Sequence, residues 1–203
     1  MRQECLILGK VNVGKTLFLI SFAEYLGLKD IEITFLSPDQ QAWKMKYSIN
    51  RAKGLLINPH PHKTRCLQKV TLNLPMGKGK KEIALIDSSG FVEGIHENRE
   101  IRKGIAQTLS KISKTSVILH LIDTAKVGEM KNLTKMGEVD LQIAQFAQIK
   151  GGYALLANKM DIPYAKAGLD HLKQELSDLT IIPISAKEKQ GFKEVKAFVC
   201  RNI

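Results

Sequence analysis

The sequence predicts an α/β fold: a three-layer sandwich whose mostly parallel sheet carries helices on both faces and one antiparallel hairpin at its edge. Short apolar runs alternate with longer amphipathic segments along the 203 residues, and such alternation is typical of parallel sheets. Two runs, at 116–123 and 153–158, are almost continuously apolar, as central strands covered on both faces must be. The length suits one core, so we expect a single domain over 1–203.

The first elements follow from strand and cap signals. Residues 4–9, ECLILG, form an apolar run that predicts a strand. The segment 15–27 predicts a helix closed by Gly27, since glycine commonly ends helices. IEITFL, at 31–36, has the β-branched and aromatic content of a strand.

A helix is predicted over roughly 38–53. Its start is indicated by an N-cap, a proline in the first turn and a capping box, at Ser37, Pro38 and Gln40. Trp43 and Tyr47 would then lie four residues apart, which is typical of side chains that pack on a core, with an exposed stacking platform as the alternative.

The rest of the chain continues the alternation. LQKVTLNL and EIALID, joined by the turn MGKGKK, predict the antiparallel hairpin. A long helix is expected over roughly 98–113, a further strand at LTIIPIS, and helices between the later strands and at the C-terminus. Cys200 is expected in that last helix.

Positive charge is concentrated in one part of the chain. The net charge is +11, and from Gln40 to Lys81 there is no Asp or Glu. That stretch holds ten cationic residues: Lys44, Lys46, Arg51, Lys53, Lys63, Arg65, Lys69, Lys78, Lys80 and Lys81. Such a bias favours acidic partners. We expect structured RNA or the ribosome, with an anionic membrane surface as the runner-up and a solvated basic face as the alternative.

The cysteine content suits a reducing cytosol. Cys5, Cys66 and Cys200 have no paired spacing, which argues against a disulfide framework or a zinc site. No apolar stretch reaches membrane-spanning length, so a cytoplasmic location without a transmembrane segment is expected.

A phosphate-binding loop is predicted at GKVNVGKT, residues 9–16, between a strand and a helix. Its glycines let backbone N–H groups surround phosphates, Lys15 can reach the terminal phosphates, and Thr16 can bind Mg²⁺. The nucleotide-binding residues expected here are Gly9, Asn12, Val13, Gly14, Lys15 and Thr16.

A guanine-specific base site is predicted by two later motifs. In ANKMD, Asn158 can meet the purine N7 side, Lys159 can lie across the base, and Asp161 can accept from N1–H and the 2-amino group. Adenine lacks both donors and would leave the carboxylate unpaired. In ISAKE, the backbone of Ser185, Ala186 and Lys187 can contact the guanine carbonyl.

A third motif, ALIDSSGFVEG, delivers Asp87 and Gly90 into a loop after a strand. Phosphate loop, DxxG, NKxD and SAK occur in this order, each at a strand's C-terminal end, where ligand sites belong. On these motifs the chain resembles the translation-factor class of P-loop GTPases. The segment 87–123 resembles switch II of the Obg family, with Ser89 at its proline position, and NVGKT resembles the Era family.

The resemblance implies a Mg²⁺-dependent GTP/GDP switch. It implies that Thr64 in HKTRC is the switch I threonine, with Thr71 as the weaker candidate, and that Thr16, Thr64 and Asp87 surround the metal. Roughly 25 residues more than usual then separate the two threonines, a basic insertion around 28–60. Neither an Obg-type N-terminal domain nor an RNA-binding C-terminal domain is expected.

Hydrolysis must proceed without a water-holding side chain after Gly90, because that residue is Phe91. The related families also carry a hydrophobic residue there. Catalysis would come from Mg²⁺, Lys15, Thr64 and the Gly90 amide. The Era-like Asn12 implies a K⁺ held beside the phosphates. A side chain that only braces the loop is the equal alternative, and a partner's arginine can also supply the charge.

Two functions remain open at this point. The first is a slow GTPase that acts as a conformational switch in ribosome or RNA-related assembly. The second is a regulatory or scaffold module that binds GTP or GDP with little hydrolysis. An ATPase or nucleotide kinase is disfavoured by NKMD.

Overall fold

The computed structural model describes residues 3–39, 41–57, 66–77, 79–91, 99–129, 137–149 and 151–203. For residues 99–101 it describes the backbone alone. Within these ranges one sheet has the strand order β3-β2-β4-β5-β1-β6-β7-β8. The strands are β1 (Gln3–Leu8), β2 (Asp30–Leu36), β3 (Ala42–Ser48), β4 (Leu67–Met76), β5 (Gly79–Asp87), β6 (Val117–Asp123), β7 (Tyr153–Asn158) and β8 (Ile181–Pro183).

The helices flank this sheet. They are α1 (Lys15–Tyr25), α2 (Ile49–Leu56), α3 (Arg99–Lys114), α4 (Thr124–Glu129), α5 (Glu138–Gln148), α6 (Ala165–Glu175) and α7 (Phe192–Asn202). None of the helices in the described ranges is both long and apolar enough to cross a membrane.

Five strands, β5, β1, β6, β7 and β8, run parallel, which confirms the predicted α/β class. β1 lies between β5 and β6, with Leu6 opposite Ile86 on one side and Ile118 on the other. β4 runs antiparallel to β5, so the expected hairpin is confirmed as well. The carboxyl ends of the five parallel strands therefore share one edge of the sheet.

Two apolar cores lie on opposite faces of the sheet. One contains Phe18, Phe22 and Phe192 of α1 and α7, whose rings contact one another. The other is built under α3, α4, α5 and α6 and includes Ile112 and Leu172. Because each face is covered, the inner strands β1 and β6 are buried along most of their length, as their apolar sequence predicts.

The predicted helix over 38–53 is wrong. Residues 42–48 form strand β3, antiparallel to β2, and the helix α2 begins only at Ile49. The cap signal belongs to a turn: the Ser37 hydroxyl accepts a hydrogen bond from the Gln41 N–H at 3.1 Å. The segment AWKMKYS alternates with period two, placing Trp43 on one face of the sheet and its lysines on the other. A second antiparallel hairpin thus extends the sheet edge.

Three other expectations hold, and a fourth holds in part. The long helix α3 covers 99–114, close to the predicted range, and Cys200 lies in α7. Thr71 lies within β4, as expected for the weaker switch I candidate. Of the predicted core pair, Tyr47 is buried, but Trp43 is 45% exposed.

Candidate functional site

The predicted site residues stand at the common edge of the parallel strands. Gly9 follows β1, Asp87 ends β5, and Asp123 ends β6. Asn158 ends β7, and Ser185 follows β8. Parallel strands bring these positions together although they are far apart in the chain, and this edge is where open α/β sheets bind ligands.

The phosphate loop has a backbone that few residues can adopt. Gly9 and Gly14 have φ values of 136° and 98°, and Asn12 has φ 64°. A Cβ on Gly9 would collide with the Leu121 carbonyl oxygen, and one on Gly14 would lie 2.6 Å from the Asn158 amide nitrogen. Only glycine fits both the dihedral angles and the contacts at these two positions.

The Lys15 side chain lies inside the loop. Its ammonium group donates to the carbonyl oxygens of Gly9 at 3.0 Å and Lys10 at 2.8 Å. Burial lowers the pKa of Lys15 to about 8, against the opposing charges of Asp87 and Asp140. Among the described residues, backbone carbonyls hold this buried ammonium group, and such a cation is well suited to bind a strongly anionic group.

Thr16 and Asp87 form a polar pair beside Lys15. The Thr16 hydroxyl donates to Asp87 Oδ2 at 2.6 Å. Burial raises the pKa of Asp87 to about 6, although Lys15 and Thr16 both oppose the rise. Among the described residues, the buried Asp87 Oδ1 has no hydrogen-bond partner. An unpartnered carboxylate oxygen next to a hydroxyl is a donor set that fits Mg²⁺.

The residues after Asp87 pack against the phosphate loop. Phe91 N–H donates to the Gly9 carbonyl at 3.2 Å, and Val11 N–H donates to the Phe91 carbonyl at 3.3 Å. A Cβ on Gly90 would come within 2.8 Å of the Val11 backbone. The Phe91 side chain is buried in the apolar core beneath α3 and α5. Its backbone, not its ring, thus faces the phosphate loop.

Asn158 connects three segments of the site. Its amide nitrogen donates to the Val13 carbonyl at 2.7 Å, and its amide oxygen accepts from the Ala186 N–H at 2.9 Å. The side chain is buried. Because both ends of one amide are used, the phosphate loop, the NKMD loop and the loop after β8 are fixed relative to one another.

Two further carboxylates order the base loops. Asp123 accepts from Lys159 Nζ at 2.6 Å and also from the Lys126 N–H at 3.3 Å. Asp123 thus caps the first turn of α4 and also forms an ion pair with Lys159. Asp161 Oδ1 accepts from the Ser185 hydroxyl at 2.6 Å. Lys187 is exposed and pairs with Glu188 at 3.4 Å.

A network of polar side chains connects α5, β6 and β7 to the phosphate loop. Lys10 Nζ lies 3.3 Å from Asp140 Oδ2, and Asp140 Oδ1 lies 3.1 Å from His120 Nε2. His120 Nδ1 in turn lies 2.9 Å from the Tyr153 hydroxyl. Burial, followed by the Asp140 charge, raises the pKa of Tyr153, so its hydroxyl keeps its proton and can donate to His120. Sequence reasoning missed these residues, because no motif marks them.

Part of the predicted site lies outside the described residues. Thr64 belongs to this part, as do Lys63 and Arg65 of the basic stretch. Within the described part, the cations of that stretch are divided between two sides of the sheet. Lys44 pairs with Glu32 on the face of β2 opposite α1, whereas Lys53 pairs with Glu24 of α1. In this structure, Lys44 and Lys53 therefore lie on opposite sides of the sheet.

Comparison with known proteins points to a GTPase, the class that the sequence motifs predict. A family model described as "50S ribosome-binding GTPase" matches residues 47–159, more than half of the chain. The GTPase Obg of Anoxybacillus flavithermus is 31% identical over 123 residues, covering 57% of this chain and 27% of that protein. The GTPase Obg of Alkaliphilus oremlandii is 27% identical over 161 residues, covering 76% and 35%. The chain thus spans about a third or less of these relatives.

Solved structures show the same fold. An Aquifex aeolicus Era variant bound to GDP·AlF4⁻ superposes with a TM-score of 0.69 at 21% identity, covering all of this chain and 57% of that one. Era in complex with MgGDPNP and a segment of 16S ribosomal RNA gives 0.66 at 21% identity, covering 98% and 56%. With the family match over more than half its length, this chain belongs to the family of 50S ribosome-binding GTPases.

Proposed function

We propose that this chain binds GTP and hydrolyses it to GDP and phosphate, as a conformational switch formed by one GTP-binding domain over 1–203. The observation that carries the proposal is the bridge made by Asn158 between Val13 of the phosphate loop and Ala186. The bridge fixes the phosphate-binding loop and the base-binding loop relative to each other. A nucleotide requires this, because its phosphates and its base must bind at the same time.

Guanine is the proposed base. Asp161 is exposed and oriented by the Ser185 hydroxyl, so its second oxygen can accept from the guanine N1–H and 2-amino group. Asn158 has a second amide hydrogen for the purine N7. Lys159, held by Asp123, can cover the base plane. Competition of GTP and ATP against a fluorescent GDP analogue tests this proposal: GTP should displace the probe, and ATP should not.

The phosphate chemistry is proposed to rest on Lys15, Thr16, Thr64, Asp87 and the Gly90 amide. Thr16, Thr64 and Asp87 would hold Mg²⁺, directly or through water, and the metal would neutralise charge on the phosphate oxygens. Lys15 would exchange its carbonyl partners for terminal phosphate oxygens. The Gly90 N–H would donate to the γ-phosphate, and Thr64 would order when it meets the same group.

Asn12 separates two accounts of catalysis. Its positive φ supports the bracing role, since asparagine tolerates left-handed backbone. If its oxygen also holds K⁺, hydrolysis should be faster in K⁺ than in Na⁺ at equal ionic strength. Asn12→Gly keeps the backbone but removes the oxygen, and should erase this difference, whereas Asn12→Asp should keep it. Equal rates in both salts for the unchanged protein would assign Asn12 to bracing and indicate an arginine from a partner.

The second candidate is a GTP- or GDP-binding module with little turnover. The burial of the Phe91 ring favours it, because that side chain cannot orient an attacking water. Measured turnover distinguishes the two functions.

RNA or the ribosome is the proposed partner. Support comes from the acid-free stretch 40–81, which supplies most of the net charge of +11, and from the ribosome-binding family. The Era structure contains 16S ribosomal RNA. Phosphate contacts by lysines and arginines would make binding weaken steeply with salt. Because the stretch includes Thr64, we propose tighter binding in the GTP state.

The partner proposal is tested by RNA binding of the GTP-analogue and GDP forms across a salt series. The test is repeated with Lys44, Lys46, Arg51 and Lys53 changed to Gln. Weaker binding of the GDP form and of the changed protein is expected. RNA binding that responds to neither the nucleotide nor these charges would refute the proposal.

A further inference from the structure

We propose that Trp43 is a stacking site for an unpaired base, and that single-stranded RNA lies along the outer edge of β3. This inference rests on the RNA-binding part of the proposed function. It names the kind of RNA and the residue that contacts it.

The ring geometry of Trp43 carries the inference. Its indole is stacked on Phe35 of the neighbouring strand, with ring centroids 5.4 Å apart and planes at 8°. One face of the indole is therefore covered and held in orientation by a nearly buried aromatic ring. Trp43 is nevertheless 45% exposed, and we infer that this exposure falls on the ring face turned away from Phe35. A rigid indole with one free face is the platform on which a nucleobase stacks.

The position of β3 makes this ring accessible. β3 is the last strand at its edge of the sheet in the described part of the chain, and nearly all its residues are exposed. Met45, two residues along on the same face, is 46% exposed and extends the apolar surface beside the indole. A bound strand therefore meets one aromatic plane and a neighbouring apolar side chain.

The other face of the same strand supplies cations. Lys44 and Lys46 alternate with Trp43 and Met45 and point to the opposite face of the sheet. There Lys44 and Lys69 line a cleft of about 430 Å³, together with Glu32, Thr34, Leu36 and Thr71. Lysine side chains at a sheet edge are long enough to reach phosphates that run along it. β3 thus offers an aromatic plane for bases and ammonium groups for the phosphate backbone.

Single-stranded RNA fits this surface better than a duplex or a protein strand. Stacking needs a base with a free face, which a continuous duplex does not present along its side. An added protein strand would use the edge hydrogen bonds, but lysines on edge strands typically oppose such pairing. No acidic residue occurs from Gln40 to Lys81, and Glu32 of β2, a carboxylate in the cleft, is paired with Lys44 at 2.8 Å.

The direct test uses the fluorescence of Trp43, the only tryptophan of the chain. Oligouridylate and oligoadenylate are titrated into the full chain, with emission and fluorescence anisotropy of a labelled oligonucleotide recorded in parallel. Stacking should quench the tryptophan emission with the same midpoint as the anisotropy change. A duplex of the same length should leave the emission unchanged.

Variants then distinguish the contribution of the Trp43 ring to RNA binding from that of the lysine charge. Trp43→Ala should weaken oligonucleotide binding roughly tenfold, and Trp43→Phe should restore most of it. Phe146→Ala removes an exposed aromatic ring on α5 and should change nothing. Lys46→Gln should reduce the slope of log affinity against log salt by about 0.7, whereas Lys166→Gln on the exposed face of α6 should not.

Each remaining outcome contradicts a distinct claim. RNA binding with unchanged tryptophan emission, or equal binding by Trp43→Ala, overturns the stacking site and leaves the proposed RNA partner standing. Equal binding and quenching by duplex RNA overturns the preference for single strands. No RNA binding at all overturns both the site and the proposed partner. Because the emission titration uses the unchanged protein, it tests the stacking site even if Trp43→Ala does not fold.

Discussion

The Asn158 side chain donates a hydrogen bond to the Val13 carbonyl at 2.7 Å, joining residues 145 positions apart in the chain. The same amide accepts from the Ala186 N–H. The base-binding loop and the phosphate loop therefore share a buried connection within the protein, and contacts to a nucleotide come in addition to it.

Asn158→Ala should destabilise both the fold and the nucleotide complex. It leaves the Val13 carbonyl and the Ala186 N–H without partners in a buried site, which typically costs about 1–3 kcal/mol for each group. We expect a lower free energy of unfolding in urea and weaker affinity for GTP and GDP alike. Asn73→Ala, on an exposed position of β4, is the control. An unchanged stability of Asn158→Ala would show that the bridge contributes little.

Asp161→Asn should change the base preference. The carboxylate is proposed to accept from two guanine donors, whereas an amide can donate to the 2-carbonyl of xanthine. Affinity for GTP and GDP should fall, and xanthine nucleotides should bind. Isothermal titration with GDP and XDP measures both effects. Undiminished GDP affinity would mean that Asp161 does not contact the base.

Asp140→Asn tests the network of polar side chains that joins α5 and β6 to the phosphate loop. Asp140 pairs with Lys10 of the phosphate loop and with His120 of β6. Removing its charge leaves Lys10 without this anion, so the free energy of unfolding should fall by about 2–3 kcal/mol and nucleotide affinity should fall with it. Asp170→Asn, on the exposed surface of α6, should alter neither. Loss of stability with intact nucleotide affinity would show that the contacts of Asp140 with Lys10 and His120 have only a structural role.

Glu4 predicts a pH dependence of stability. Burial alone would raise the pKa of Glu4, but Lys111 and Lys69 together outweigh it and hold the pKa below its ordinary value. A carboxyl whose pKa is depressed by folding stabilises the protein above its unfolded pKa and loses that contribution as pH falls through the folded pKa.

Glu4→Gln should therefore lower the free energy of unfolding by about 1 kcal/mol at pH 7, and the difference should disappear as pH falls below the ordinary glutamate range. Urea unfolding over a pH series measures it. Glu175→Gln, at an exposed position of α6, is the control. A difference that persists undiminished at low pH would contradict the ion pairs.

The sequence predicts the fold where patterns are long and unambiguous. The apolar runs of β6 and β7 are typical of covered strands, and parallel strands bring the motif residues together. The helix predicted over 38–53 failed because Ser37 and Pro38 suit a turn as well as a cap, and the alternation in 42–48 fits a strand. Lys10 and Asp140 could not be paired from sequence, because their contact depends on how α5 packs.

The most direct test of the central claim is phosphate release from GTP and from ATP, with Mg²⁺, by the full chain and by Lys15→Ala. The account predicts slow release from GTP above the Lys15→Ala background, and none from ATP. Equal release from ATP, or release from GTP that survives Lys15→Ala, would contradict a guanine-specific GTPase built on this phosphate loop. Tight GTP binding with no release would identify the chain as a binding module instead.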